Sequence, residues 1–122
     1  MARILVVDDE HDIAVNLVAL LISHGHEASC VGDGPEALAR AREDSPDLVL
    51  LDVMLPRMSG HDVCKILRHE PKTSRIKVIM VTGLGRGADV EAGFDTGAND
   101  YLVKPFDSER LLRKIDRVLA MP

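Results

Sequence analysis

Short runs of aliphatic residues alternate along this chain with stretches of helical periodicity. Three of the runs are continuous, at Ile4–Val7, Leu48–Leu51 and Val78–Val81. Uninterrupted aliphatic runs are typical of central parallel strands, because helices cover such strands on both faces. Glu27–Val31 is more mixed and predicts an edge strand, and Tyr101–Val103 predicts a fifth strand. The alternation therefore predicts an α/β fold with a mostly parallel, five-stranded sheet.

Helix signals fill the segments between the predicted strands. Apolar residues recur at helical spacing over 13–24 and over 111–119. Two further helices begin at Asp33–Glu36, which places Pro in a first turn, and at Ser59–Asp62, which resembles a capping box. The segment 88–96 predicts a weak fourth helix, because it has few apolar residues and contains a glycine. The order is (βα)5, and we expect a doubly wound sheet of order 2-1-3-4-5 with helices on both faces.

Composition fits one domain over residues 1–122 and excludes several classes of function. Fifteen Lys and Arg against twenty Asp and Glu give a net charge of −5, which disfavours a general nucleic-acid or membrane binder but leaves a local basic patch open. Aromatic residues are 2% of the chain, too few for a base-stacking platform. The two cysteines lack CxxC spacing and no signal sequence is recognisable at the N-terminus, so we expect a cytoplasmic location. The five histidines show no metal-site spacing and are predicted to be surface or capping residues.

Polar side chains stand where four of the predicted strands end. Asp8 and Asp9 end the first strand, Asp52 the third, Thr82 the fourth and Lys104 the fifth. Ligands of open parallel sheets bind beyond the carboxyl ends of the strands. In the order 2-1-3-4-5 the first and third strands are neighbours, so the three carboxylates are expected to meet there.

Three neighbouring carboxylates repel one another, so the cluster requires a compensating cation or protons. Ligands that are all oxygen atoms indicate Mg²⁺. Lys104 adds a positive charge and the Thr82 hydroxyl adds a hydrogen-bond donor. The set predicts a receptor for a doubly charged anion attached to a carboxylate, with Asp52 placed to attack phosphorus as a nucleophile.

Four motifs together resemble the response-regulator receiver domain of two-component signalling, and the resemblance covers essentially the whole chain. The motifs are VVDDE at 6–10, LLDVMLPRMSG at 50–60, VTG at 81–83 and GANDYLVKPF at 97–106. One departure is Gly83, since the family most often has Ala there. Glycine is also small, so access for a phosphoryl group is preserved.

The resemblance implies a flavodoxin-like fold and a role for each acid. It implies that Asp52 accepts a phosphoryl group from a sensor histidine kinase or a histidine phosphotransfer protein, with Mg²⁺ as cofactor. It further implies that Asp9 binds the metal directly and that Asp8 acts largely through water. Asp52 and the backbone carbonyl of Met54 would complete the protein ligands of the metal.

The same resemblance implies how the phosphoryl group is held and read out. Lys104 and Thr82 would hold phosphoryl oxygens, and the Lys104–Pro105 bond is expected to be cis. Thr82 and Tyr101 would form the switch, with the Tyr101 ring moving from exposed to buried. The output face would comprise the fourth predicted helix, the fifth strand and the last helix.

The expected partners are the kinase or phosphotransfer protein and an output domain or protein that the sequence does not identify. A homodimer that forms on phosphorylation is a further expectation, whereas direct contact with nucleic acid or membrane is not expected. The domain is predicted not to be an enzyme with a separate substrate, although it would catalyse its own phosphorylation and dephosphorylation.

Three alternatives stay open on sequence grounds. Gly83–Ala88 satisfies G-x-G-x-x-A, as in a dinucleotide-binding enzyme, but too few residues follow it for a second βαβ half. A hydrolase with an aspartyl-phosphate intermediate would use Asp52, but the acid expected two residues later is Met54. The third alternative is a degenerate receiver that acts as a phosphorylation-independent interaction module, and the intact set of acids argues against it.

Overall fold

The computed structural model describes residues 1–83 and 97–122, which form a five-stranded sheet and four helices. The strands are β1 (Arg3–Val7), β2 (Glu27–Val31), β3 (Leu48–Asp52), β4 (Lys77–Thr82) and β5 (Asp100–Val103). The helices are α1 (His11–Ser23), α2 (Gly34–Asp44), α3 (Gly60–His69) and the C-terminal helix α4 (Ser108–Leu119). The helix predicted over 88–96 and most of the glycine-rich motif before it lie outside the described residues. Among the described helices, none has the length and apolar character needed to cross a membrane.

All neighbouring strands are parallel, and their order is β2-β1-β3-β4-β5. This order confirms the predicted topology and places β2 at an edge. In the register, Val7 lies opposite Leu51 and Asp52 lies opposite Val81. The residues that end β1, β3 and β4 therefore lie side by side at the carboxyl end of the sheet.

Two hydrophobic clusters cover the two faces of the sheet. Side chains alternate along each strand, so Leu5 belongs to the cluster that contains residues of α2 and α3, and Ile4 to the cluster that contains residues of α1 and α4. Leu48 to Leu51 in β3 are each at most 2% exposed. Because burial of one such side chain contributes about 1.5–3 kcal/mol, the central strands hold the carboxyl end of the sheet rigidly.

Side-chain caps begin three of the helices. The carboxylates of Asp33 and Asp107 and the hydroxyl of Ser59 each accept a hydrogen bond from the backbone N–H three residues later. Such caps contribute about 1 kcal/mol each. Glu10, the N-cap residue of α1, makes no side-chain cap. Glu10 therefore stands at the start of α1 without capping it. The two acids before it, Asp8 and Asp9, lie at the carboxyl end of the sheet.

Candidate functional site

Asp8, Asp9 and Asp52 lie together at the carboxyl end of the sheet. One carboxylate oxygen from each lies within 4.8 Å of the oxygens from the other two. Asp8 is 5% exposed and Asp52 is 7% exposed, whereas Asp9 is exposed. The structure therefore brings together the three carboxylates whose meeting the strand order predicts.

Backbone N–H groups orient the two buried carboxylates. The Oδ1 atom of Asp8 accepts a hydrogen bond from the N–H of Glu10 at 2.9 Å, two residues further along the chain. The Oδ1 atom of Asp52 likewise accepts from the N–H of Met54 at 3.1 Å. In each carboxylate one oxygen is thus held by the loop after its strand, and the second oxygen faces Lys104.

Lys104 supplies the compensating charge that the sequence predicts. Its Nζ lies 3.0 Å from Oδ2 of Asp52 and 3.6 Å from Oδ2 of Asp8. The Lys104–Pro105 bond is cis, as expected, and the Lys104 backbone N–H donates to the carbonyl of Thr82 at 2.7 Å. One ammonium group therefore serves two buried carboxylates.

Burial shapes the charge states of this ion pair. Burial raises the pKa of the Asp52 carboxyl, and the hydrogen bond and charge of Lys104 reduce that rise without reversing it. Burial also acts to lower the pKa of the Lys104 ammonium, but the hydrogen bond and attraction of Asp52 outweigh it, so this pKa is raised. Lys104 is consequently protonated at neutral pH, while the cluster as a whole is short of positive charge.

Thr82 places an unpartnered hydroxyl beside the cluster. The residue ends β4 and is 2% exposed, and its Oγ1 has no hydrogen-bond partner in the part of the chain that the structure describes. A buried polar group without a partner costs about 1–3 kcal/mol. The Thr82 hydroxyl is therefore available to donate a hydrogen bond to a bound oxyanion.

Of the predicted site residues, Met54 is exposed and Tyr101 is buried. The Met54 side chain is 59% exposed, and its backbone lies in the loop directly after Asp52. Tyr101 is 6% exposed and belongs to the cluster beneath α2 and α3, although an exposed ring was expected in the absence of a phosphoryl group. In the register, Tyr101 lies opposite the fully buried Met80, so burial of the ring extends an apolar cluster that already exists.

Gly60 supports the site in a way that the sequence analysis did not identify. Its N–H donates to the carbonyl of Val53 at 2.9 Å, and a Cβ added to it would overlap the carbonyl oxygen of Asp52. Only glycine permits this approach of α3 to the end of β3. The sequence signal is the Ser-Gly pair, which by itself indicates only the start of a helix.

His61, the next residue, also departs from the expectation of a surface or capping histidine. Its Nε2 is buried and lacks a hydrogen-bond partner among the described residues. No pattern in the sequence distinguishes it from the other four histidines.

Arg68 of α3 was also missed, and it holds the segment that begins β5. Its guanidinium donates to the backbone carbonyls of Gly97, Ser74 and Ile76 and to the side-chain oxygen of Asn99. Gly97 has a φ of 99°, and a Cβ there would press on the Arg68 side chain. Two of these contacts join α3 to residues 29 and 31 positions further along the chain, so no local pattern reveals them.

Comparison with known proteins identifies the family. The model of the response regulator receiver domain matches residues 4–116. This chain belongs to the response regulator receiver domain family. The receiver fold is flavodoxin-like, and the five parallel strands in order 2-1-3-4-5 agree with it.

Relatives of this receiver domain are longer response regulators. RegX3 of Mycolicibacterium smegmatis, a sensory transduction protein, is 46% identical over 119 residues, which cover 98% of this chain and 51% of RegX3. MtrA of Mycobacterium tuberculosis, a DNA-binding response regulator, is 43% identical over 113 residues, which cover 93% of this chain and 48% of MtrA. The chain thus spans about half the length of the curated relatives it matches.

A solved receiver domain shows the same architecture with a metal ion. The receiver domain of sensor histidine kinase PA1611 from Pseudomonas aeruginosa is 30% identical, with a TM-score of 0.90 and 98% of each chain covered. That crystal structure has a magnesium ion coordinated in the active site cleft.

Proposed function

We propose that this receiver domain accepts a phosphoryl group on Asp52 from a phosphohistidine of a sensor histidine kinase or a histidine phosphotransfer protein. The observation that carries the proposal is the contact of 3.0 Å between Asp52 and Lys104, beside two further carboxylates and the unpartnered Thr82 hydroxyl. A carboxylate oxygen of Asp52 would attack phosphorus and form the O–P bond. The N–P bond would break, and its electron pair would stay on the departing imidazole nitrogen.

Lys104 and Thr82 would bind the transferred group. Phosphoryl transfer depends largely on positioning and on stabilisation of the charge on the phosphoryl oxygens. The Lys104 ammonium, already 3.0 Å from an Asp52 oxygen, is in position to neutralise a phosphoryl oxygen attached there. The Thr82 hydroxyl would donate to a second phosphoryl oxygen and so satisfy the hydrogen bond that it lacks.

The acid cluster fits Mg²⁺, and we propose this ion as the cofactor. Asp9 and Asp52 would bind it directly, Asp8 largely through water, and the Met54 backbone carbonyl would complete the protein ligands. These groups are all oxygen atoms at an edge where Asp9 is exposed, which suits an ion that prefers oxygen and retains several waters. When bound, the ion would neutralise charge on the phosphoryl oxygens. The magnesium in the PA1611 receiver domain supports this assignment.

Thr82 and Tyr101 would report the phosphoryl group to the output face. Thr82 lies close to the segment that the structure does not describe, and Tyr101 lies opposite Met80, two positions before Thr82, on the neighbouring strand. Because Tyr101 is already buried here, a phosphoryl group that draws on Thr82 would stabilise the buried arrangement rather than create it. The output face would comprise the fourth predicted helix, β5 and α4.

We also propose an output for a longer protein that contains this domain. MtrA is a DNA-binding response regulator, so a DNA-binding output is the candidate for a longer protein that contains this domain. A homodimer that forms on phosphorylation is a second element. We place the domain, residues 1–122, in the cytoplasm, where the thiols of Cys30 and Cys64 would stay reduced. No substrate other than its own phosphoryl donor is proposed.

The decisive experiment is phosphorylation with acetyl phosphate and Mg²⁺, followed by intact-mass spectrometry. The wild-type domain should gain one phosphoryl group, and Asp52→Asn should gain none. Asp62→Asn, which alters an exposed acid on α3, is the control and should behave as wild type. Absence of any gain in the wild-type protein would favour the degenerate receiver, and a gain that persists in Asp52→Asn would move the acceptor elsewhere.

A second experiment tests the readout. Beryllofluoride, which mimics the phosphorylated aspartate, should shift NMR signals of β5 and α4 well beyond the pocket. Thr82→Ala should reduce those distant shifts while Asp52 is still phosphorylated. Shifts that stay next to Asp52, or that are unaltered in Thr82→Ala, would contradict the switch but not the chemistry.

A further inference from the structure

A concentration of positive charge lies at the amino end of the sheet, opposite the acid cluster. Cavities of about 640 Å³ and 510 Å³ open there, and Arg75 and Lys77 line both of them. Lys72 lines the larger cavity. Lys72 and Arg75 are exposed, and neither has an ion-pair partner among residues 1–83 and 97–122. These cations are therefore available to an external anion.

The positive charge continues onto α4. A third cavity, of about 500 Å³, is lined by Arg110, Arg113, Lys114 and Arg117. Their helical spacing brings these four side chains close together on the helix. Asp116 lines both this cavity and the largest one, so the two groups of cations adjoin. The four residues of α4, together with Lys72, Arg75 and Lys77, are called the basic surface below.

Few of the described acids adjoin the basic surface. Those that line its cavities or pair with its cations are Asp47, Asp100, Glu109 and Asp116. A single carboxylate, Asp100, lies within 3.2 Å of Lys114 and 2.6 Å of Arg117, so two cations share one anion. Among the described residues, the seven cations of the basic surface thus adjoin four acids in a chain whose net charge is −5, and the Lys77 ammonium also donates to the carbonyl oxygen of Pro122 at 2.8 Å. The excess of positive charge is local, and its Lys72, Arg75 and Lys77 lie at the amino end of the sheet, away from the acid cluster.

We propose that the basic surface contacts the phosphate backbone of double-stranded DNA. Interfaces with DNA are more polar and more positively charged than those between proteins, whose centres rely on apolar and aromatic anchors. No Phe, Tyr or Trp among the described residues lines the three cavities, and Tyr101 is buried in the core. Single strands are bound largely by stacking of bases on aromatic rings, so the surface suits a duplex rather than a single strand.

The contact is independent of sequence and depends on orientation. Lysine and arginine neutralise phosphates without reading bases. The acid cluster at the other end of the sheet repels a duplex, so the domain would approach with the amino end of the sheet first. The net charge disfavours general nucleic-acid binding, and the proposal therefore departs from the expectation that this domain makes no such contact. It concerns a surface remote from Asp52, and its test does not depend on phosphorylation.

The test is fluorescence anisotropy with a labelled duplex of about 20 base pairs of arbitrary sequence, at salt concentrations of roughly 50 to 200 mM. The wild-type domain should bind weakly, and its affinity should fall as salt rises. Lys72→Glu/Arg75→Glu should weaken binding at least about tenfold at the lowest salt and reduce the slope of log affinity against log salt by about 2. Lys65→Glu/Arg40→Glu makes the same change in net charge away from the surface and should bind nearly as wild type.

Several outcomes would overturn the proposal. They are equal weakening in the two double variants, absence of salt-dependent binding by the wild-type domain, and tighter binding of a single strand of the same length. A glutamate peptide that binds more tightly than the duplex would also overturn it and would assign the surface to an acidic protein. Thermal unfolding of both double variants checks that a loss of binding is not a loss of fold.

Discussion

The two ends of the sheet use charge in opposite ways. At the carboxyl end, buried Asp8 and Asp52 share one cation, Lys104, and burial raises the pKa of Asp52. At the amino end, burial also acts to raise the pKa of Asp100, but hydrogen bonds from Arg117, the Tyr101 N–H and Lys114 outweigh it, so this pKa is lowered. The first end is short of positive charge, and the second end has it in excess. The difference indicates that the carboxyl end of the sheet suits a cation, whereas at the amino end Lys114 and Arg117 hold Asp100 in the fold and other cations are left for an anion.

The largest expected effect is on metal binding at the carboxyl end. Asp9→Ala removes an exposed oxygen ligand and one of three like charges. We expect Mg²⁺ affinity to fall at least about tenfold, since even partners one shell further out contribute 10–100-fold, and phosphorylation at millimolar Mg²⁺ to be lost. The free energy of unfolding should be unchanged or greater. Mg²⁺ titration by calorimetry measures the first effect, with Asp12→Ala as the control; equal affinity in wild type and Asp9→Ala would place the metal elsewhere.

Gly60→Ala tests a residue at the carboxyl end of the sheet that supports the fold and binds no ligand itself. The added methyl group would overlap the Asp52 carbonyl oxygen, so α3 must shift. We expect a loss of about 3 kcal/mol in the free energy of unfolding, in the range of severe packing defects. Gly32→Ala, which adds a methyl group into open space, should change stability by less than about 1 kcal/mol. Urea unfolding of both variants makes the comparison, and equal losses would show that the close approach is unimportant.

Arg68→Lys tests the amino end. Lysine keeps the charge but not the planar group that donates to four oxygens, so partly buried acceptors would lose their donors. We expect a loss of about 2 kcal/mol in stability, with phosphorylation of Asp52 unaffected. Arg113→Lys, an exposed site on α4, is the matched control. A variant as stable as wild type would contradict the structural role of Arg68. A stable variant that is not phosphorylated would show that Arg68 also affects the site at the carboxyl end of the sheet.

Much of this arrangement follows from the sequence, for identifiable reasons. The aliphatic runs gave the central strands because a strand buried on both faces cannot include polar residues. Strand order then placed Asp8, Asp52 and Thr82 side by side. Buried Tyr101, the Gly60 contact and the Arg68 network were not predicted, because each depends on a partner distant in sequence and on a packing detail of less than about 1 Å.

The smallest expected effect is the pH dependence of Asp100. Its pKa is lower in the folded chain than the ordinary value of about 3.9, so the carboxylate stabilises the fold above that pH, and the stabilisation is lost as pH falls through the folded pKa. Asp100→Asn should cost less than about 1 kcal/mol at neutral pH, because Arg117 is largely exposed and solvent screens the pair. Urea unfolding of both proteins from about pH 7 to pH 3 should show the difference shrinking toward zero below about pH 4. A difference that stays constant over that range would show that the charge of Asp100 does not stabilise the fold.

The contact between Gly60 and Asp52 also determines where strain can go. No atom fits between the start of α3 and the peptide group of Asp52, so these two parts of the backbone form a single stiff body. If the proposed phosphoryl group is attached to the Asp52 side chain, we expect little movement on the α3 side of the cleft. We expect the displacement on the opposite side, toward β4 and β5, where the Thr82 hydroxyl has no partner among the described residues.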